Sequence, residues 1–319
     1  MAQVYETAKR VFAIPHLGTK ISDEKRASVF GMVESGKTTI LGLLEVTCIN
    51  YANVTNKPHS ETNFHFLVQE RTSGIRQAGS DLRKGMFPEK TPVGDIFEAD
   101  FHMRFGGMFS KQQMRLGFCE TAGEEIAKLL DQFQKGQYDI NPGMFQHASL
   151  IHEYILDSDG VIIIAPVTRA TGLEEEKGSL VKDPDVNLSR LLAGIYQYKQ
   201  SSQSRPTKGV GVFLTKYDAL RDYLESKQMN LKTPEGVHTF MSKYFPETYA
   251  VLGWYGLENV RFWPTGVEIE TERNEVGTVV AKRNSRGYQI KRDLNRNVPI
   301  YTESPFYEFI EWLRKTIMA

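Results

Sequence analysis

The feature that most constrains the fold of this chain is a glycine-rich segment close to its start. Residues 31–38 read Gly-Met-Val-Glu-Ser-Gly-Lys-Thr and match the pattern G-x-x-x-x-G-K-[ST]. The segment lies between a strand-like run, Ala27–Phe30, and an apolar-periodic helix pattern that begins at Lys37. Strand, glycine-rich turn and helix in this order predict a phosphate-binding loop, because glycines let backbone N–H groups turn inward and the helix adds the positive end of its dipole.

Two polar residues of the loop, Lys37 and Thr38, have an expected role. Lys37 reaches the β- and γ-phosphates, and the hydroxyl of Thr38 binds Mg²⁺. The predicted nucleotide-binding residues of this segment are Gly31, Glu34, Ser35, Gly36, Lys37, Thr38 and Thr39. Kinases, ATPases and GTPases share such a loop, so the loop alone identifies neither the nucleotide nor the reaction.

The rest of the chain predicts an α/β fold. Two strand-like runs, Ile96–Phe105 and Met108–Cys119, are separated by two glycines and read as a hairpin. The apolar runs Gly160–Val167 and Gly209–Leu214 alternate with helix patterns, which is typical of strands covered on both faces. We therefore expect a mainly parallel central sheet with one antiparallel edge strand and helices on both faces. Residues 61–85 read as a polar helix.

Composition excludes several classes of protein. The chain has 319 residues, a formal net charge of zero, 40% hydrophobic and 24% charged residues, which is ordinary for a soluble globular protein. A protein held to nucleic acid by phosphate contacts would normally be basic. No apolar run approaches the roughly 20 residues of a membrane span, and two cysteines cannot form a disulfide scaffold. We expect a cytoplasmic protein with no integral membrane segment and no nucleic-acid partner.

A second motif gives the chain a family resemblance. Residues 120–125 read Glu-Thr-Ala-Gly-Glu-Glu and follow the second hairpin strand. Together with the phosphate loop, its helix and the hairpin, they resemble the small and heterotrimeric Gα-type G proteins, whose third motif is D-x-x-G. The resemblance is to the Ras-like branch of translation-factor-class P-loop GTPases. Prokaryotic G domains of the gliding-motility and double-GTPase types look similar in Phe87–Thr91 and in the last helix. The resemblance implies a G domain that binds GTP or GDP with Mg²⁺.

The resemblance also implies catalytic and metal-binding roles. The amide of Gly123 would bind the γ-phosphate. Glu120 stands where the family has an aspartate that holds Mg²⁺, and Glu124 where it has a glutamine that orients the attacking water. Thr91 is the best match to the switch threonine, a Mg²⁺ ligand. The implied catalytic set is Lys37, Thr91, Gly123 and Glu124, and the implied metal ligands are Thr38, Thr91 and Glu120.

Two open points accompany these roles. The two glutamates depart from the family pattern, so we expect slow hydrolysis, or a catalytic group supplied by a partner or by Arg83. An acidic helix start at residues 120–125 and an ordinary turn threonine at Thr91 remain the structural alternatives.

A third motif points to the base. Residues 215–218 read Thr-Lys-Tyr-Asp after a buried strand and resemble the guanine-reading motif [NT]-K-x-D. The carboxylate of Asp218 can accept hydrogen bonds from guanine N1–H and its exocyclic amine, and the stem of Lys216 packs along the base. Thr265 and Gly266 follow the strand Val260–Trp263 and occupy the place of the family's last loop, next to guanine O6. Ordinary surface turns are the alternative at both places.

These motifs extend from Gly31 to Gly266, so we expect one enlarged G domain over residues 1–319, with insertions at about 55–90, 124–150 and 268–296. The predicted function is a GTP-binding molecular switch with slow Mg²⁺-dependent hydrolysis and a protein partner at its switch loops. A nucleotide-binding pseudo-GTPase and a P-loop ATPase are the alternatives.

Overall fold

The fold comes from a computed structural model. It describes residues 26–31, 35–55, 63–70, 74–89, 96–106, 112–121, 131, 135, 155, 158–170, 184–201 and 206–317. The strands in these ranges are β1 (Ala27–Gly31), β2 (Asn63–Glu70), β3 (Ile96–Gly106), β4 (Gln112–Thr121), β5 (Gly160–Pro166), β6 (Gly209–Thr215), β7 (Val260–Pro264), β8 (Thr271–Arg273), β9 (Val279–Ala281), β10 (Arg283–Asn284), β11 (Gly287–Tyr288), β12 (Arg292–Asp293) and β13 (Val298–Pro299).

The structure also defines the bounds of the α-helices. They are α1 (Lys37–Thr55), α2 (Ile75–Arg83), α3 (Val167–Ala170), α4 (Pro184–Ser201), α5 (Arg221–Ser226), α6 (Pro234–Tyr244), α7 (Pro246–Leu252) and α8 (Ser304–Trp312), the last of which continues as a π-helical turn, Leu313–Ile317. None of the helices in the described ranges is both long and apolar enough to cross a membrane.

The centre of the fold is a parallel sheet in the strand order β1-β5-β6-β7. Every residue of β1, β5 and β6 is buried, which explains their uninterrupted apolar runs. In β5, Val161 and Ile163 pack into one core with α4 and α6, while Ile162 and Ile164 pack into a second core with α1 and α8. Helices therefore cover both faces of the sheet, and the predicted α/β fold class is confirmed.

The antiparallel part of the structure is larger than the single edge strand that the sequence predicted. β2 pairs with β3, and β3 pairs with β4, so these strands form a three-stranded antiparallel sheet whose β4 lies beside β1. The prediction of a helix over residues 61–85 is thus wrong for 63–70 and right only for α2. The reason lies in the residue types, because Phe64, Phe66 and Val68 are aromatic or β-branched residues that favour strands.

A proline divides one predicted helix of the C-terminal half into two helices. The span Val237–Leu252, predicted as one helix, forms α6 and α7, which meet at Phe245 because Pro246 cannot continue the hydrogen bonding of α6.

The charged segment, which we define as residues 268–303, contains the predicted insertion 268–296. It folds as three small antiparallel pairs, β8-β9, β10-β11 and β12-β13. The predicted insertion at 124–150 lies outside the described residues, apart from Asp131 and Lys135. The single enlarged domain stays a prediction.

Candidate nucleotide-binding site

The phosphate-loop motif lies between the end of β1 and the start of α1. Gly36 has a φ of 90°, a backbone conformation that favours glycine, and it turns the chain into α1. Lys37 begins α1, its side chain is buried, and its Nζ donates a hydrogen bond to the carbonyl of Gly31 at 3.0 Å. The ammonium group therefore lies against the first glycine of the motif. Residues 32–34, which include Glu34, lie outside the described residues.

Among the described residues of this loop, Ser35 is the most buried polar one. Its side chain is fully buried, and within the described residues its Oγ has no hydrogen-bond partner. A buried hydroxyl without a partner is uncommon, and a bound polar group would satisfy it. Thr38 and Thr39 follow in the first turn of α1 and are half-buried. A serine hydroxyl, an ammonium group and a helix N-terminus are a chemical set that fits a phosphate, and the hydroxyl of Thr38 fits one ligand of a Mg²⁺ ion.

The predicted base-reading motif follows β6. Thr215 ends the strand, and its Oγ1 donates a hydrogen bond to the backbone carbonyl of Ser35 at 2.8 Å. Lys216 has a φ of 62°, which turns the chain into the short 3₁₀ helix Tyr217–Leu220. The loops after β1 and β6 are therefore joined directly.

The loop after β7 is joined to the loop after β6 by backbone hydrogen bonds. The N–H of Thr265 donates to the carbonyl of Leu214 at 2.8 Å, and the N–H of Tyr217 donates to the carbonyl of Thr265 at 3.1 Å. The structure thus brings together the two segments that the sequence predicted to read the base, although about 50 residues separate them.

Asp218 lies at the centre of this pair of loops. Its carboxylate accepts hydrogen bonds from its own N–H and from that of Val267. A Cβ atom at Gly266 would lie 2.1 Å from Oδ1 of Asp218, so only glycine leaves room for the carboxylate.

Burial raises the pKa of Asp218 to about 6, although the two N–H groups and the positive charges of Arg221 and Lys216 oppose the rise. Thr265 is buried, and its Oγ1 has no partner among the described residues. The loops therefore present a partly desolvated carboxylate and a hydroxyl to any ligand that fits between them.

Several predicted site residues remain untested. Thr91, Gly123 and Glu124 lie outside the described residues. Glu120 lies in β4 opposite Phe97, and its side chain is not described. Their catalytic and metal-binding roles stay predictions. Within the described ranges, no group of three or more His, Cys, Asp or Glu residues could hold a metal ion.

The structure adds residues around the site that sequence reasoning missed. Thr302 donates its N–H to the carbonyl of Gly266 at 3.1 Å, and its hydroxyl donates to the same carbonyl at 3.4 Å. Tyr301 shares a hydrogen bond of 2.7 Å with Thr47 of α1. Neither contact has a signal in residue spacing, because the partners are 36 positions apart for Thr302 and Gly266 and 254 positions apart for Tyr301 and Thr47.

Comparison with known proteins gives no family assignment. No family model matches the chain, and no curated protein matches it in sequence. Among solved structures, it is similar to sup35 complexed with GDP, at 11% identity over 79% of this chain and 39% of that one, with a TM-score of 0.30.

Two further solved structures are similar at the same level. One is Methanosarcina barkeri Roco2 RocCORdC bound to GDP, at 12% identity over 77% of this chain and 43% of that one, with a TM-score of 0.27. The other is the signal recognition particle receptor SRb-GTP/SRX complex from Chaetomium thermophilum, at 11% identity over 76% and 90%, with a TM-score of 0.33. The matched part is thus less than half of sup35 and of Roco2. Similarities with TM-scores this low are too loose to argue from, so the function rests on the residues of the site.

Proposed function

We propose that this protein binds guanine nucleotides between the loops that follow β1, β6 and β7, and that it is a molecular switch that hydrolyses GTP slowly with Mg²⁺. One observation carries the proposal. The hydroxyl of Thr215 and the backbone of Thr265 join the three loops at the carboxyl edge of the parallel sheet. Ligands of open α/β sheets bind at this edge.

The phosphates would bind at the loop after β1. Lys37 would exchange its hydrogen bond to the carbonyl of Gly31 for the β- and γ-phosphates, to which a charged donor binds more strongly than to a neutral carbonyl. The buried Oγ of Ser35 would gain the partner that it lacks among the described residues. The first N–H groups of α1 would add their dipole. Thr38 would hold Mg²⁺, and this ion, when bound, would neutralise part of the negative charge of the phosphates.

The base would bind at the loops after β6 and β7. Guanine offers two donors, N1–H and the exocyclic amine, to the carboxylate of Asp218. Adenine offers no such pair and would leave a partly buried carboxylate without partners, which is costly. The backbone of Gly266 and the hydroxyl of Thr265 are the candidate contacts for guanine O6. The stem of Lys216 would pack along the ring.

The hydrolysis step rests on the sequence rather than on described residues. Water would attack the γ-phosphate in line, and Lys37 would stabilise the charge on its oxygens. Thr91 and Gly123 would couple loss of that phosphate to loop movement. Because Glu124 is an anion where a glutamine would orient the water, the intrinsic rate is expected to be slow. A protein partner would bind near these loops.

Calorimetric titration with GDP, GTP and ATP tests the binding site. We expect GDP and GTP to bind far more tightly than ATP. The substitution Asp218→Asn should weaken guanine nucleotides by roughly 10- to 100-fold, because each hydrogen bond to a charged group contributes about 1.5–3 kcal/mol. The same variant should favour xanthine nucleotides, which carry an oxygen in place of the amine. Asp222→Asn, an exposed aspartate at the start of α5, is the matched control. ATP binding as tight as GTP binding would refute the base assignment.

Phosphate release in a single turnover tests the enzymatic part separately. We expect slow release from bound GTP with Mg²⁺, and faster release if a partner supplies an arginine. If the protein binds GTP but releases no phosphate, with or without candidate partners, the proposed GTPase activity is wrong and the protein is a nucleotide-binding module.

A further inference from the structure

The charged segment ends beside the loop that carries Gly266. Val267 and Tyr301 form an antiparallel bridge between the two. Next to this bridge, the N–H of Thr302 donates to the carbonyl of Gly266 at 3.1 Å, and the Oγ1 of Thr302 donates to the same carbonyl at 3.4 Å. One residue of the charged segment therefore gives two hydrogen bonds to a single carbonyl of the base loops.

The carbonyl that Thr302 holds belongs to the same peptide group as an N–H that reaches Asp218. The C=O of Gly266 and the N–H of Val267 lie on one peptide bond, which is planar and, being trans, points them in opposite directions. The N–H of Val267 donates to the carboxylate of Asp218. Thr302 and Asp218 thus hold opposite sides of one rigid group.

A rotation of this peptide group would displace the carboxylate. The backbone of Gly266 lies against Asp218, because a Cβ atom at Gly266 would be 2.1 Å from Oδ1 and 2.8 Å from Cβ of Asp218. Rotation would remove the N–H donor and turn the carbonyl oxygen, an acceptor, toward the carboxylate. Glycine tolerates such a rotation better than other residues. The two hydrogen bonds from Thr302 oppose it, since a rotated carbonyl would lose both.

We propose that Thr302 is a positioning residue that keeps the N–H of Val267 on the carboxylate of Asp218 and so sharpens the preference for guanine over hypoxanthine. The inference rests on the proposed function. Guanine offers two donors to this carboxylate, whereas hypoxanthine lacks the exocyclic amine and offers N1–H alone. Both hydrogen bonds of guanine require one orientation of the carboxylate, so an orientation that is fixed before binding favours the base with two donors.

Calorimetry with GDP and IDP measures this preference as a ratio of affinities. We expect the wild-type protein to bind GDP roughly 10- to 100-fold more tightly than IDP, because IDP lacks one hydrogen bond to a charged group. Thr302→Val keeps the shape of the side chain and removes the bond at 3.4 Å, which is long for a hydrogen bond, so the ratio should fall about two- to threefold. Thr302→Ser keeps the hydroxyl and should restore the wild-type ratio.

Thr302→Pro removes both hydrogen bonds to Gly266, because proline has no backbone N–H. The preceding residue, Tyr301, lies in the bridge to Val267, and extended backbone is what the residue before a proline favours. The ratio should fall by about tenfold, since the carboxylate is no longer held for the second donor of guanine. If this variant does not fold, Thr302→Val and Thr302→Ser still decide.

Thr248→Val is the matched control. It is the same substitution at a buried threonine, whose Oγ1 donates to the carbonyl of Asp185 at 3.0 Å between α7 and α4. We expect it to lower the free energy of unfolding and to leave the ratio of GDP to IDP affinity unchanged. An unchanged ratio in Thr302→Val, whatever happens to the two separate affinities, would overturn the inference.

Hydrogen exchange of the Val267 amide, measured by NMR in nucleotide-free protein, separates this inference from the proposed function. Faster exchange in Thr302→Val and Thr302→Pro, but not in Thr248→Val, is the expected result. Unchanged exchange would overturn the positioning role even if guanine nucleotides bind as proposed. If the wild-type protein binds neither GDP nor GTP, the proposed function fails and the preference for guanine fails with it.

Discussion

The base loops and the phosphate loop of the candidate site are built differently. In the base loops, backbone hydrogen bonds from Tyr217, Thr265 and Thr302 already fix the position of Asp218 against Gly266. In the phosphate loop, the ammonium of Lys37 binds the loop's own carbonyl, and within the described residues the Oγ of Ser35 has no partner. The base loops are thus held in place before any ligand binds, whereas the phosphate loop would exchange internal contacts for ligand contacts.

Because of this difference, substitutions in the two regions should affect nucleotide binding in two different ways. A change in the phosphate loop should act on every nucleotide alike, because all of them carry phosphates. A change in the base loops should act on the choice of base and leave binding of the phosphates intact.

The largest expected effect is that of Lys37→Ala in the phosphate loop. Removal of the ammonium deletes hydrogen bonds to two phosphates, and each bond to a charged group contributes about 1.5–3 kcal/mol, so affinity for GDP and GTP should fall more than about 100-fold. Calorimetry measures the loss. Lys243→Ala, at an exposed lysine over the Tyr244 ring in α6, is the control and should bind normally. Loss of GTP binding with GDP binding retained would contradict the assignment.

The next effect is that of Gly266→Ala in the base loops. The added methyl group would lie 2.1 Å from Oδ1 and 2.7 Å from Cγ of Asp218, so the carboxylate must move away from the base. Guanine affinity should fall by roughly 10- to 100-fold, because the two hydrogen bonds from the base are lost together.

Gly253→Ala is the matched control for this change. A Cβ atom there meets nothing within 4 Å, and the φ of −59° suits alanine. We expect both variants to fold and only Gly266→Ala to lose guanine binding. Normal GDP binding by Gly266→Ala would show that Asp218 does not contact the base.

The sequence predicted those parts of the fold and site that depend on local patterns. The strands β5 and β6 read as continuous apolar runs because both of their faces are buried. The loops at Gly36 and Asp218 follow strands of the central sheet, and the structure places them at one edge of that sheet. Strand β2 was misread as part of a polar helix, although Phe64, Phe66 and Val68 are aromatic or β-branched residues that favour strands.

The contacts of Arg286 could not be predicted in the same way. Its partner Asp81 is 205 positions away, and both residues read as ordinary surface charges in sequence. The segment that carries Arg286 lies beside the end of α2 through the hydrogen bonds of Ile290 to Gly85 and of Arg292 to Arg83, and through the packing of Ile290 in the core that contains Leu82. A pairing of this kind depends on tertiary packing, and no local spacing encodes it.

A smaller effect is expected from pH, and the part of it that comes from the described protein groups should arise at Asp218 in the base loops. Burial raises the pKa of Asp218 to about 6, and the donors of guanine bind the carboxylate rather than the protonated acid. GDP affinity should be constant above pH 7 and should fall below pH 6 by at most about tenfold per pH unit. Asp218→Asn should lack the share of this dependence that comes from the carboxyl and keep only the share that comes from the terminal phosphate of GDP, whose second pKa is also about 6. Guanine affinity that stays flat from pH 7 to pH 5 would contradict the role of Asp218.

The raised pKa of Asp218 also affects the stability of the free protein, which should change with pH in the direction opposite to GDP affinity. A carboxyl whose pKa is higher in the folded state than in the unfolded state, where it is about 3.9, contributes stability when it is protonated. This contribution is present below the unfolded pKa and is lost as the pH rises through about 6. Urea unfolding of the free protein at pH 5 and pH 7 measures it, as a difference between wild type and Asp218→Asn.

The smallest effect tests a direct side-chain contact between the phosphate loop and the base loops. Thr215→Val keeps the shape and strand preference of threonine but removes the hydrogen bond of 2.8 Å to the carbonyl of Ser35. The free energy of unfolding, measured in urea, should fall by about 1 kcal/mol in Thr215→Val. Thr215→Ser keeps the hydroxyl and should retain most of the stability of the wild-type protein. If the contact also sets the distance between phosphate loop and base loops, GDP affinity should fall a few-fold in Thr215→Val and recover in Thr215→Ser. A loss of stability with unchanged GDP affinity would mean that the base loops and the phosphate loop bind their parts of the nucleotide independently.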